Sequence, residues 1–133
     1  MLRITLPWLD TILTPNVMDG LQVHGGRGAK FAISTARKNL FEGSYYTALS
    51  IILELPVLDF TCDHAVSVVH HRPIGQSGRG LDNDAVARAM KPALDGIAKA
   101  IGVNDYFFNP LEYRRGEPVE GGNVEVLIDD FPF

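Results

Sequence analysis

Between residues 82 and 105 the chain carries three carboxylates and a lysine in an order that suits phosphodiester hydrolysis. Asp82 and Asp84 stand two residues apart, Lys91 follows, and Asp105 closes the segment. Carboxylate oxygens hold hard divalent cations. Magnesium bound by one or two of them keeps positions open for water and a substrate phosphate. Such a metal lowers the pKa of its bound water and neutralises charge on the phosphoryl oxygens. A nearby lysine adds fixed positive charge where negative charge develops on oxygen.

These residues can act together only if one element presents them on one side. With Asp84 set at zero and about 100° per residue, Arg88, Lys91 and Asp95 fall within about 40° of it. Val86, Met90, Ala93, Ile97 and Ile101 gather on the opposite side. The pattern predicts a helix over about Asn83 to Ile101, with a core face and a polar stripe. Asp82 or Asn83 would cap its first N–H groups. Pro92 predicts a kink or a short first turn, and Gly102 a C-terminal stop. Asp105 falls just past the helix, too far from Asp84 for local contact. Either the next strand runs back beside the helix, or a second chain completes the site. The same residues also have plainer roles. Asp-Asn-Asp caps a helix, Lys91 and Asp95 form a solvated i,i+4 pair, and Asn104-Asp105 makes a turn.

The remaining elements follow from periodicity and turn chemistry. Leu2, Ile4 and Leu6 alternate into a first strand ended by Pro7 and Trp8. Asp10 to Gly28, with Thr14-Pro15-Asn16, Asp19-Gly20 and Gly25-Gly26, reads as a long loop. Ala29 to about Leu53 reads as a helix with Phe31, Ala36, Leu40, Ala48 and Ile52 toward the core, divided at Gly43. Pro56 marks a turn. Ala65 to His71 is a β-branched strand, followed by a flexible loop over Arg72 to Gly80. Tyr106 to Arg115 and Asn123 to Ile128 read as a hairpin with a long connection. The order β-α-β-α-β-β predicts an α+β fold, a two-layer sandwich with a mixed β-sheet and helices on one face. The length of 133 residues predicts one domain over 1–133.

Composition narrows the class. Hydrophobic residues make up 46% and charged residues 21%, as in an ordered globular chain. No run of eighteen apolar residues predicts a membrane span, and no signal peptide is evident. The single cysteine, Cys62, excludes an internal disulfide and fits a reducing, cytoplasmic setting. The net charge of −4 argues against DNA. Metal-ligating acids contribute to that charge, however, and bound cations cancel them. The basic residues also cluster, as in Arg27 with Lys30 and Arg37 with Lys38. Other motifs are weak. Cys62-Asp63-His64 lacks a zinc partner pair, and Gly75 to Gly80 lacks the ending of a phosphate loop. His70 and His71 at a strand end read as surface residues.

The layout resembles the RusA family of Holliday-junction resolvases of bacteria and their phages. Ile4-Thr5-Leu6-Pro7-Trp8 is similar to that family's first strand. Leu13-Thr14-Pro15-Asn16, with His24 downstream, is similar to its following loop. The central stretch resembles the family's signature: Leu81-Asp82-Asn83-Asp84-Ala85, Lys91-Pro92-Ala93-Leu94-Asp95-Gly96, and Gly102-Val103-Asn104-Asp105. Gly-Glu-Pro-Val and Gly-Gly-Asn-Val-Glu-Val near the end resemble phage-type members. The likeness covers most of the chain. Ala85 stands where the family has Asn, and Asn104 replaces the first acid of its closing pair. A rival register would pair Asp82 with Asn83 and put Gly80 in the first acid's place. The register with both acids keeps the lysine spacing.

The resemblance implies a metal-dependent endodeoxyribonuclease that resolves four-way junctions. Asp82, Asp84 and Asp105 would hold Mg²⁺ or Mn²⁺, and Lys91 would be the catalytic lysine. Lys30, Arg72, Arg79 and Arg88 are the expected phosphate contacts. The family implies a homodimer, whose two-fold symmetry presents one surface twice to branched DNA. Tyr45, Tyr46, Phe107 and Phe108 serve as interface or as core. Two alternatives stand beside this reading. One is a junction-binding protein that no longer cuts, and the other is a structural dimer that does not touch DNA.

Overall fold

Alternation of apolar residues builds the sheet. In the computed structural model, which describes residues 1–52, 62–75 and 81–129, strand β1 (Leu2–Pro7) buries Leu2, Ile4 and Leu6 and exposes the residues between. β2 (His64–His71) buries His64, Val66, Val68 and His70, and β4 (Asn123–Ile128) buries Val124, Val126 and Ile128. These inward side chains form one face of a four-stranded sheet of order β1-β4-β2-β3. β4 runs antiparallel to both β1 and β2, whereas β3 (Phe108–Arg115) runs parallel to β2 at the other edge. The sheet is mixed, as expected, but β3 and β4 are not a hairpin, because β2 lies between them.

Helices cover the buried face. α1 (Pro15–His24) and α2 (Gly26–Ile52) precede β2, and α3 (Asn83–Ile101) precedes β3. Val86, Met90, Ala93 and Ile97 of α3 are fully buried, so the apolar side predicted from periodicity is the packed one. They share a core with Ile4, Val68 and Val126. Each such side chain contributes roughly 1.5–3 kcal/mol relative to exposure. The fold is α+β, with the helices as one layer and the sheet as the other.

The stretch read as a loop over Asp10 to Gly28 is helical. A 3-10 turn (Thr11–Leu13) capped by the Asp10 carboxylate leads into α1, which begins at Pro15, and Gly25 separates α1 from α2, whose first residue, Gly26, sits at φ +65. Proline's fixed φ suits a first helical turn. α2 runs unbroken through Gly43. A mid-helix glycine costs about 1 kcal/mol relative to alanine, and burial of Ile33, Ala36 and Ala48 on either side offsets it. Phe31, expected in the core, is 75% exposed, because the buried stripe runs through Ala29, Ile33 and Ala36. Among the interface-or-core aromatics, Phe108 is buried, Tyr45 and Phe107 are partly buried, and Tyr46 is exposed. Leu53, the Pro56 turn and the 76–80 part of the glycine-rich loop lie outside the described residues.

α2 and α3 approach through Gly96. A Cβ there would stand 2.4 Å from the Phe41 carbonyl oxygen and 3.2 Å from the Tyr45 nitrogen, both backbone atoms. Gly96→Ala is expected to destabilise the protein by about 2 kcal/mol through overpacking, read as a lower urea midpoint. Helix propensity alone would stabilise this variant by about 1 kcal/mol. A raised midpoint would therefore show that the two helices are free to separate.

Candidate active site on the polar face of α3

Asp82 is the N-cap of α3. Its backbone is extended (φ −74, ψ 167), and its Oδ1 accepts from the Ala85 N–H at 2.7 Å. The cap leaves the second carboxylate oxygen free. Asp84 follows in the first turn, exposed, with no hydrogen-bond or ion-pair partner among the described residues. Its charge is favourable there, close to the positive end of the helix dipole.

His70 fixes this turn from below. The sequence reading placed His70 at the surface, but it is 1% exposed on the inward face of β2, and its Nε2–H donates to Asn83 Oδ1 at 2.8 Å. Asn83 lies between the two acids, so His70 positions both. The signal in the sequence was register: His70 shares parity with the inward-facing Val66 and Val68. His71 is also not a free surface residue. It bridges the Glu117 carbonyl and the Glu125 carboxylate, each at 2.8 Å.

Lys91 lies two helical turns beyond Asp84, about 10 Å along the axis. Its ammonium donates to Asp105 Oδ2 at 2.5 Å and lies 3.0 Å from Asp95 Oδ1. Asp105 belongs to a 3-10 turn (Asp105–Phe107), with Asn104 as its cap. The chain therefore returns to the helix within four residues of its end, and the meeting is with Lys91 rather than with Asp84. Asp105 and Asp95 hold the Lys91 pKa above its usual 10.5, Asp105 contributing most. The hydrogen bond from Lys91 in turn holds the Asp105 carboxyl below its usual 3.8. Half-buried Tyr113 of β3 stands near the same ammonium, and burial pushes its phenol up while Lys91 opposes the shift. Lys91 is thus a permanent cation. It can stabilise oxyanions or donate a hydrogen bond, but it is poorly matched to act as a general base near neutral pH.

Among the described residues, only Arg88 of the remaining predicted ones lies on this face. Arg88 shares the stripe with Asp84 and Lys91, and its guanidinium lies 3.6 Å from Asp19 of α1. Both partners are more than half exposed, so this pair contributes only a few tenths of a kcal/mol. Lys30 is exposed on α2, and Arg72 follows β2. Arg79 lies outside the described residues. The polar stripe of α3 and the Lys91–Asp105 contact hold together much of what the sequence singled out. The three acids are not gathered: among the described residues, no set of three His, Cys, Asp or Glu side chains is placed to share a metal ion. No protein-family model matches the chain, and no curated protein sequence matches it.

Proposed function

We propose that this chain is a metal-dependent endodeoxyribonuclease that cuts branched DNA, acting as a cytoplasmic homodimer. The observation that carries the reading is the α3 face. A carboxylate pair stands at the start of the helix, Asp84 of that pair shares one stripe with a charged lysine, and Asp105 folds back onto that lysine. The donor set suits magnesium in kind, because among the described residues Asp84 is unpartnered and Asp82 keeps one oxygen free. Asp82 and Asp84 would hold the ion. When bound, it supplies an activated water and charge neutralisation at the phosphate. Asp105 was expected as a third ligand. In this geometry its carboxylate instead orients the Lys91 ammonium, which would sit against the phosphoryl oxygens or the leaving oxygen. His70, through Asn83, keeps the carboxylate pair in register.

A second reading has its own support. With the acids apart and Lys91 held by two carboxylates, the protein would bind branched DNA without cutting it. Among the described residues no helix is long and apolar enough to cross a membrane. Incubation with branched DNA in Mg²⁺ or Mn²⁺ separates the two readings. The nuclease reading expects strand scission that EDTA abolishes. Bound but intact DNA under every divalent ion would favour binding alone.

A further inference from the structure

We infer that the groove between α2 and α3 is a binding track for a single nucleic-acid strand, with Arg37 and Lys38 as its phosphate contacts and Phe41 as its stacking surface. The inference rests on the proposal that the α3 face meets DNA, and it names the path by which a strand reaches Lys91.

The track is built by helical spacing. Lys30, Ser34, Arg37 and Phe41 recur at intervals of three or four along α2, so they share one face. Arg37 lines two neighbouring recesses. One, of about 600 Å³, has Met18, Phe41 and Pro92 as an apolar floor, with Arg37, Lys38, Arg88 and Lys91 around it and Asp95 as the one carboxylate in its lining. The other, of about 360 Å³, continues along α2 past Ser34 to Lys30. Four cations and one acid line the larger recess of a chain whose net charge is −4. Asp19, Glu42, Asp95 and Asp105 pair with three of these cations, so the charge left for a phosphate there is that of Arg37.

Arg37 is the least committed of these cations. Arg88 has Asp19, Lys38 has Glu42 at 3.9 Å, and Lys91 has Asp95 and Asp105. Arg37 donates to the Met18 thioether at 3.2 Å, and among the described residues it has no carboxylate partner. A thioether is a weak acceptor, and a guanidinium has five N–H donors. Most of its donors are therefore free for phosphate, which it can grip with two at once. The lining beside it is apolar and contains the half-buried Phe41 ring, with the Lys99 ammonium 5.7 Å over one face and the other left for a base. A charged groove with a ring for a base to stack on is the arrangement that holds single strands. The shape agrees. Reading duplex DNA requires an element that projects into a groove about 12 Å wide, and this surface is a recess. From Lys30 to Phe41 it extends about 16 Å along α2, which spans roughly five phosphates at strand spacing.

The test is fluorescence anisotropy of a labelled thymidine 12-mer with the full chain in EDTA, over a salt series. Wild-type protein should bind, and an equal-length duplex should compete poorly. The double variant Arg37→Gln, Lys38→Gln alters exposed residues only, so its circular dichroism should match wild type. It should weaken binding at least tenfold and lower the log–log salt slope by about 1.4, or about 0.7 for each lost phosphate contact. Phe41→Leu keeps apolar bulk and should weaken binding about tenfold with the slope unchanged, because stacking is lost. Unchanged affinity and slope in the double variant would overturn the track, as would duplex that binds as tightly as single strand. Metal is absent throughout, so the two proposals fail separately. Junction cutting with binding indifferent to Arg37 and Lys38 refutes only the track. Binding through the track without cutting refutes only the nuclease.

Discussion

Asp82→Asn is expected to reduce metal-dependent cutting of branched DNA by roughly a thousandfold while leaving the fold and DNA binding in place. The two consequences separate because the proposed function gives Asp82 a second role besides its cap. As N-cap it accepts a hydrogen bond from Ala85, and asparagine caps about as well as aspartate. Stability should therefore change by less than about 0.5 kcal/mol. As a metal ligand it would supply an anionic oxygen, which asparagine does not replace. Losing a cation worth several kcal/mol of transition-state stabilisation corresponds to about a thousandfold in rate. Asp82→Ala should lose the same activity and about 1 kcal/mol of stability besides. Single-turnover cleavage and urea unfolding read the two roles independently. If Asp82→Asn cuts at the wild-type rate, Asp82 is a cap and nothing more.

Lys91→Met should be nearly as damaging, by about a thousandfold in kcat with little change in KM, the scale expected for a cation that acts in a phosphoryl-transfer transition state. It should also change the response to pH. In the wild type the depressed Asp105 carboxyl contributes stability that is fully present above its usual 3.8 and is lost as pH falls through its lowered value. The raised Lys91 contributes stability that is fully present below its usual 10.5 and is lost as pH rises through its raised value. Both losses are small, since the lysine is 62% exposed and solvent screens the pair. The variant should flatten both limbs, which stability curves at acid and alkaline pH would show. An unaltered pH profile with unaltered kcat would remove Lys91 from the site altogether.

α3 was legible from sequence to the residue, because three independent signals agreed there. The N-cap acid, the apolar stripe of Val86, Met90, Ala93 and Ile97, and Gly102 at φ +80 all point to the same ends. β1 was legible through strict alternation. The segment before Ala29 was misread because its glycines look like loop residues. Only Gly26, at φ +65, occupies a backbone region that glycine favours, while Gly20 and Gly28 lie inside helices whose stability comes from packing. The hairpin was misread because chain adjacency between Arg115 and Asn123 carries no trace of β2, which inserts between the two strands. At the site, the stripe of Asp84, Arg88, Lys91 and Asp95 could be read from angle alone. The capture of Lys91 by Asp105 could not, since it depends on the chain turning back through Asn104. Nor could the hydrogen bond from His70 to Asn83, which needs both the strand register and the seat of the helix.

Whether the α3 face cuts branched DNA with metal is decided by one cleavage assay. A synthetic four-way junction and a linear duplex of matched sequence would be incubated with the protein, with Mg²⁺ or Mn²⁺ and with EDTA, and the products mapped on each strand. The account predicts paired nicks at symmetry-related positions of the junction, only with metal, and an intact linear duplex. A junction that is bound in the presence of either metal and stays whole would contradict it.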